Sequence, residues 1–395
     1  MIAAGERLLS AAKEIEPWMI DIRRRLHQCP ELLYDLHETS QIVCDELSKL
    51  GISFQSGIAE TGIVATLGSD DSNCVMLRAD MDALPIEEQA DVGFGSKNVG
   101  RMHACGHDCH TAMLLGAARI LKQKESEIPG TVKLCFQPAE EGGAGGKRMC
   151  TEGVMENPRV QKVFGLHVWP MLPSGQLTGR PGNFLAASSA FEVRIAGTGG
   201  HAAMPHLSND PIAAAAKIIT SVQTLISREQ DPMEAGVVSV TAVNGGSTYN
   251  VIPSEVTIKG TIRSLSSANR DQLKNRLCRI IDALAAADRC RAEFATIGED
   301  YPETCNDPEL WNSVFKMGER IVGPGNFIIC SPMMGGEDFA YYGAHAPTCF
   351  VAVGSRNESE GCTFGLHHPR FKVDESVFHI GAALHAAFVH EHLGS

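Results

Sequence analysis

Residues 102–110 form the densest run of side chains that can bind a metal ion or take part in catalysis. The segment reads Met-His-Ala-Cys-Gly-His-Asp-Cys-His, which places three imidazoles, two thiols and a carboxylate within nine residues. Cys and His are the usual ligands of borderline divalent metal ions, and the glycine between Cys105 and His107 lets both side chains turn toward one ion. The alternative is a polar helix N-terminus with two ordinary thiols.

Two neighbouring ligands do not complete a metal site, and further acidic and imidazole side chains lie at the ends of predicted strands. They are Asp80 and Asp82 after 74–77, Glu140 and Glu141 after 131–136, His167 within 164–169, and His367 and His368 after 349–353. Because α/β proteins bind ligands beyond the carboxyl ends of their strands, we expect these side chains to meet in one crevice. Taken alone, His167 would more often be a buried structural histidine, because it lies in an apolar strand between Leu166 and Val168.

The adjacent pair Glu140 and Glu141 is expected to divide two roles. Neighbouring side chains point in opposite directions along an extended backbone, so one carboxylate can bind metal while the other acts as a general base toward water. One of Asp80 and Asp82 is expected to orient a metal-binding histidine. The alternatives are a solvated acidic turn for the glutamates and a turn cap for the aspartates.

The elements that must hold these residues alternate between strand and helix, which is typical of an α/β layer domain. Strands are predicted at 62–67, 74–77, 131–136, 163–168 and 349–353, and helices at 3–29, 38–50 and 109–123.

The middle of the chain has a different order. It reads as a strand at 191–196, a helix at 211–228, strands at 236–243 and 255–263, a helix at 268–287 and a strand at 291–296. This β-α-β-β-α-β order predicts a ferredoxin-like unit. We therefore predict a discontinuous α/β domain, 1–182 and 300–395, interrupted by an α+β domain at 183–299.

Length and composition predict a folded chain of about two or three domains. The protein has 395 residues, of which 44% are hydrophobic and 21% charged, which is typical of a globular protein. Its 34 basic and 47 acidic residues give a net charge of −13, which argues against nucleic acid or an anionic membrane as a partner. Thirteen irregularly spaced cysteines and the lack of an apolar export segment near the start predict reduced thiols and a cytoplasmic protein.

Nine short segments occur in an order that resembles the N-acyl-amino-acid amidohydrolases. They are RADMDALP, MHACGHDCHTAMLLGAARIL, FQPAEEGGAGG, GLHVWP, GTGGHAAMPH, NVIPSEV, GTIRS, GGEDFAYY and LHHPRF. That family includes aminoacylases, hippurate hydrolases and hydrolases of auxin–amino acid conjugates. The resemblance extends over nearly the whole chain. It implies that 1–182 and 300–395 form a two-metal, exopeptidase-like catalytic domain with a mixed sheet, and that the inserted domain is a lid.

The resemblance also implies roles for particular residues. The metal ligands are Cys105, His107, Glu141, His167 and His367; Glu140 and His201 are catalytic; and Asn250 and Arg263 bind the substrate. Glu140 would be the general base and His201 would donate to the carbonyl oxygen, while Arg263 could grip a substrate carboxylate. Asp82 is added to the catalytic set. His103 and His110 are left as supporting or structural residues, and the role of Glu337 and Asp338 stays open.

These expectations combine into a metal-dependent hydrolysis of the amide bond of an N-acyl amino acid, with two divalent ions as cofactors. Zn²⁺ and Mn²⁺ are the first candidates, and Co²⁺ or Ni²⁺ also suit the ligands. The alternatives are a dipeptidase or carboxypeptidase on the same scaffold, a non-catalytic metal- or ligand-binding protein, and a cysteine hydrolase using Cys105 or Cys109. The substrate is the expected small-molecule partner, and the two-domain plan also allows a homodimer through the lid.

Overall fold

The structure is a computed structural model that describes residues 2–68 and 73–393. Its helices are α1 Ile2–Glu14, α2 Glu16–Gln28, α3 His37–Lys49, α4 His107–Lys122, α5 Glu140–Gly143, α6 Gly145–Thr151, α7 Pro211–Thr224, α8 Ser267–Ala287, α9 Pro308–Val322 and α10 Phe378–Leu393. Its strands are β1 Ser53–Ile58, β2 Gly62–Gly68, β3 Cys74–Asp80, β4 Thr131–Gln137, β5 Lys162–Pro173, β6 Leu177–Gly179, β7 Gly182–Leu185, β8 Ala187–Ala196, β9 Gly200–His201, β10 Gly236–Asn244, β11 Val251–Ile252, β12 Glu255–Ser264, β13 Arg291–Tyr301, β14 Thr304–Asn306, β15 Phe327–Ile329 and β16 Thr348–Arg356.

The chain divides into two compact units. The first contains the residues up to Phe184, Cys305–Ser331 and those from Asp338 onward, and the second contains Leu185–Thr304 and Pro332–Glu337. Each unit has its own hydrophobic core. The sequence-based domain limits, 1–182 with 300–395 for one domain and 183–299 for the other, remain predictions.

The first unit is built on an eight-stranded mixed sheet with the order β1-β2-β4-β3-β5-β16-β6-β15. The central strands β4, β3, β5 and β16 are parallel, so their carboxyl ends lie at one edge of the sheet. Every residue of β3 and β4 is buried, as expected for strands covered on both faces. Helices α4 and α10 pack together and against β3 and β5.

The second unit contains a four-stranded antiparallel sheet with the order β10-β12-β8-β13. Helices α7 and α8 pack on it, and the chain order β8-α7-β10-β12-α8-β13 confirms the predicted ferredoxin-like pattern. The side chain of Asp210 accepts hydrogen bonds from two backbone amides at the start of α7, and Ser266 caps α8. In α7, Ala214, Ile218 and Val222 recur every four residues and form the buried face.

Two helix predictions were wrong in their limits. The single helix expected over 3–29 is two helices that break at Ile15, because Pro17 in the first turn of α2 lacks an amide hydrogen and cannot continue the helix before it. The helix expected over 211–228 ends at Thr224 and continues as a π-helical turn over Leu225–Glu229. Among the described residues, no helix is both long and apolar enough to cross a membrane.

Candidate metal centre and active site

The five predicted metal ligands lie in the first unit, in overlapping clusters whose ligand atoms are within 4.8 Å of one another. The clusters are Cys105 with His107 and His167, Cys105 with Glu141 and His367, and His107 with Glu140 and Glu141. Because Cys105, His107 and Glu141 each belong to two of these clusters, the groups are continuous. The structure therefore brings together predicted ligands that are up to 262 residues apart in the sequence, from Cys105 to His367.

The N-terminus of α4 positions Cys105 and His107. Gly106 stands between them with φ +89°, and a Cβ atom at this position would lie 2.3 Å from Val168 Cγ2. Only glycine therefore allows α4 to begin so close to β5. His107 is fully buried and neither of its ring nitrogens makes a hydrogen bond, although Nδ1 lies 3.3 Å from Asp82 Oδ1.

A tight turn after β4 carries the two glutamates. It is flanked by Ala139 at φ +58° and Ala144 at φ +54°, a left-handed conformation that is costly for a residue with a side chain. The carboxylate of Asp82 accepts hydrogen bonds from the backbone amides of Glu140 and Glu141, both at 3.0 Å. Asp82 thus holds the turn in place and also lies beside His107.

The histidines arrive from two other segments. His167 lies within β5, where it is 7% exposed and its Nε2 is 3.3 Å from Cys105 Sγ. His367 has φ +62°, its amide donates to the carbonyl of Ala104, and its Nε2 is 3.2 Å from Glu141 Oε1. The neighbouring His368 instead accepts a hydrogen bond from Arg370 N and stacks on Phe364.

The electrostatics of this cluster suit a cation. Although burial works against it, the carboxylates of Asp80 and Asp82 raise the pKa of His107 to about 10. Burial, reinforced by the Glu141 carboxylate, holds the pKa of the Cys105 thiol well above its ordinary value, so a thiolate there requires nearby positive charge. Burial holds the pKa of His167 well below its usual value, which keeps this imidazole neutral, the form that binds metal.

The orphaned ring nitrogens of His107, together with a mixed set of thiol, imidazole and carboxylate groups, fit divalent metal ions.

A buried ionic network behind the cluster was not predicted from the sequence. Arg78 is fully buried and donates to Asp80 Oδ2 and Asp338 Oδ1, both at 2.7 Å, and to Gln137 Oε1. The backbone amide of Asp338 lies 3.4 Å from Glu140 Oε1. The available signal was an arginine that follows four apolar residues in the strand β3. Asp338 thus connects the side chain of Glu140 to Arg78 on β3.

The remaining predicted residues belong to the second unit. His201 and Asn250 lie close together at the short β9-β11 pair, where Val251 is the strand partner of His201 and the amide of Ala202 donates to the Asn250 carbonyl. Both side chains are exposed. Arg263 lies near the end of β12, is half-buried, and burial lowers its pKa.

The candidate metal ligands, of which only His367 is exposed, lie near the carboxyl ends of the parallel central strands, an arrangement expected of a metal-dependent hydrolase. Comparison with known proteins gives the family. The sequence profile of peptidase family M20/M25/M40 matches residues 76–391. The chain belongs to this family.

Relatives with named activities cover almost the whole chain. It is 44% identical over 388 residues to IAA-amino acid hydrolase ILR1-like 4 of Arabidopsis thaliana, covering 98% of this chain and 88% of the relative. It is 40% identical over 385 residues to thermostable carboxypeptidase 2 of Saccharolobus solfataricus, covering 96% and 97%. The crystal structure of the Bacillus subtilis YXEP protein, a dinuclear metal-binding peptidase of the M20 family, superimposes with a TM-score of 0.80 at 34% identity, covering 95% of this chain and 98% of that one.

Proposed function

We propose that this protein hydrolyses the amide bond of N-acyl amino acids and releases a carboxylic acid and a free amino acid. The observation that carries the proposal is the clustering of Cys105, His107, Glu141, His167 and His367 with Glu140 beside them. The similarity to a plant IAA-amino acid hydrolase, whose name describes the hydrolysis of an acylated amino acid, supports this class of substrate.

The same five residues would hold two divalent ions, in line with the dinuclear peptidase that shares the fold. When bound, such ions polarise the scissile carbonyl and lower the pKa of water. The single thiolate favours Zn²⁺, while the imidazole and carboxylate ligands suit Mn²⁺ equally, and Co²⁺ and Ni²⁺ are compatible with the set.

Glu140 is the proposed general base. It is 6% exposed, and Asp82 fixes its backbone through the amide hydrogen bond. Glu140 takes a proton from the attacking water as the oxygen bonds to the carbonyl carbon. It returns the proton to the nitrogen as the C–N bond breaks, so the amine leaves in neutral form.

Three residues of the second unit are proposed on the family resemblance alone. His201 donates a hydrogen bond to the carbonyl oxygen as negative charge develops there, and Asn250 and Arg263 bind the substrate carboxylate. Substituting Arg263→Lys is expected to raise KM more than it lowers kcat, because a planar two-point contact is replaced by one point charge.

The Glu140→Gln variant tests the mechanism. We expect it to bind the same number of metal ions as the wild type and to lose about 10²- to 10⁴-fold in kcat, because an amide cannot accept the proton. The matched control is Glu127→Gln, which makes the same change at an exposed glutamate. Metal content by elemental analysis and steady-state kinetics are the two measurements. Wild-type turnover by Glu140→Gln would contradict the proposed role.

A substrate panel separates this function from its alternatives. Hydrolysis of an N-acetyl amino acid, hippurate and an indole-acetyl amino acid, with little cleavage of an unblocked dipeptide, is the expected result. Preferential cleavage of C-terminally free peptides would instead support a carboxypeptidase, the activity named for the Saccharolobus relative. Metal binding without turnover on any substrate would support a binding protein. A cytoplasmic location and a homodimer through the second unit remain predictions.

A further inference from the structure

His110 is a buried histidine on α4, one turn after His107, and both of its ring nitrogens are engaged. Nδ1 lies 2.6 Å from Asp80 Oδ1, and Nε2 lies 2.9 Å from the backbone nitrogen of Val168. A backbone amide can only donate, so Nε2 carries no proton and accepts. The proton is therefore on Nδ1, which donates to Asp80, and the hydrogen bonds select a single neutral tautomer.

The backbone of Val168 connects His110 to His167. The carbonyl of Val168 lies 2.7 Å from His167 Nδ1, and because a carbonyl only accepts, Nδ1 of His167 must carry the proton. Nε2 of His167 is then unprotonated, and it lies 3.3 Å from Cys105 Sγ. The two imidazole rings also contact each other edge to face, with centroids 4.5 Å apart.

Asp80, which begins this series of contacts, is held by neighbouring residues in the core of the sheet. Arg78 donates to the second oxygen of Asp80 at 2.7 Å, and the Thr111 hydroxyl donates to the Asp80 carbonyl at 2.9 Å. The Thr111 bond fixes the backbone of Asp80, and its carboxylate cannot turn away from His110 without also breaking the buried contact with Arg78. The connection runs from the end of β3, through His110 on α4, to the backbone of β5.

We propose that His110 is a positioning residue: by holding the amide of Val168, it fixes the tautomer and orientation of the His167 ring, whose Nε2 faces the ligand cluster. The inference rests on the proposed function, because it assigns His167 to the metal centre. Groups that orient a metal-binding histidine commonly contribute 10- to 100-fold to metal affinity.

Two substitutions separate the bonds that His110 makes. A glutamine side chain reaches the position of Nε2 and can still accept from Val168, whereas asparagine reaches only the position of Nδ1 and can bond Asp80 alone. After removal of bound metal with EDTA, each full-length variant is titrated with Co²⁺ and followed by its visible absorption. We expect His110→Asn to bind Co²⁺ about 10- to 100-fold more weakly than the wild type. His110→Gln should retain most of the affinity.

The matched control is His385 on α10, a fully buried histidine whose ring nitrogens make no hydrogen bond within the described structure. His385→Asn and His385→Gln should lower the thermal midpoint without separating in Co²⁺ affinity, which is also what a merely structural role predicts for His110. Equal Co²⁺ affinity of His110→Asn and His110→Gln, or wild-type affinity of His110→Asn, overturns the positioning role alone. Failure of the wild type to take up Co²⁺ overturns the proposed function as well.

Discussion

At the scale of single residues, Asp82 shows how one buried carboxylate organises the turn that carries Glu140 and Glu141. Its two oxygens accept from the amides of Glu140 and Glu141, and Oδ1 also lies near His107. Burial raises the pKa of Asp82, and the amide and imidazole contacts oppose that rise. A strained turn flanked by two left-handed alanines needs such an outside constraint to persist.

We therefore expect Asp82→Asn to destabilise the protein by about 1–3 kcal/mol, because the amide group can accept only one of the two backbone hydrogen bonds and leaves a buried donor unpaired. The turnover number should fall as well, since Glu140 loses its fixed position. Chemical denaturation and steady-state kinetics measure the two effects, with the exposed Asp91→Asn as the control. Unchanged stability and turnover would mean that the turn holds its shape without Asp82.

At the scale of elements, the close approach of α4 to β5 decides whether the ligands meet. The helix begins at His107 directly after Gly106, whose left-handed backbone turns the chain from Cys105 into the helix. β5 carries His167, and the side chain of Val168 occupies the space that a residue larger than glycine would need at 106. The absence of a side chain at residue 106 thus allows α4 and β5 to pack closely at this point.

Gly106→Ala should accordingly cost more than backbone strain alone. Gly153 provides the matched control, because it has nearly the same φ, +91° against +89°, and no atom lies within 4 Å of the position that an added methyl group would take. Gly153→Ala is expected to cost about 1–2 kcal/mol from the left-handed conformation. Gly106→Ala should lose more stability and also bind Co²⁺ more weakly, as followed by thermal denaturation and metal titration. Equal losses at both positions would show that β5 yields to the added methyl group.

At the scale of the whole molecule, the two units have separate cores, and all five candidate metal ligands lie in the first. Metal binding should therefore increase mainly the stability of the first unit. A ligand that binds only the folded state stabilises it by RT ln(1 + [L]/Kd), about 2.7 kcal/mol at a hundredfold excess over Kd.

Chelation with EDTA should accelerate amide hydrogen exchange in α4 and β5, while the exchange of α7 and α8 in the second unit changes little. Activity should disappear in parallel and return on adding Zn²⁺ or Mn²⁺. Hydrogen-exchange mass spectrometry resolves the two units by peptide. An equal response in both units would show that metal stabilises the protein as a whole, and the absence of any response would argue against metal ligation by these residues.

Local chemistry in the sequence indicated which segments carry possible metal ligands and where many of the strands and helices lie. The choice of five ligands came from the family resemblance, and α9 and α10 were not predicted. Cysteine, histidine and glutamate at strand ends indicate the chemistry, and alternating or continuous apolar runs indicate the elements, because side-chain type and spacing are local properties. Proline also acts locally, so the break before Pro17 was within reach of the sequence.

Only the tertiary structure decided which groups touch. Arg78 bonds Asp338, and His110 bonds Asp80 and the Val168 amide, across distant segments, and nothing in the local spacing predicts these pairs. The same holds for the clash that excludes a side chain at Gly106, which depends on the distance to Val168. Hydrogen bonds and steric contacts depend on how the helices pack on the sheet. The sequence therefore indicated the chemistry of the residues, and only the tertiary structure gave their mutual orientation.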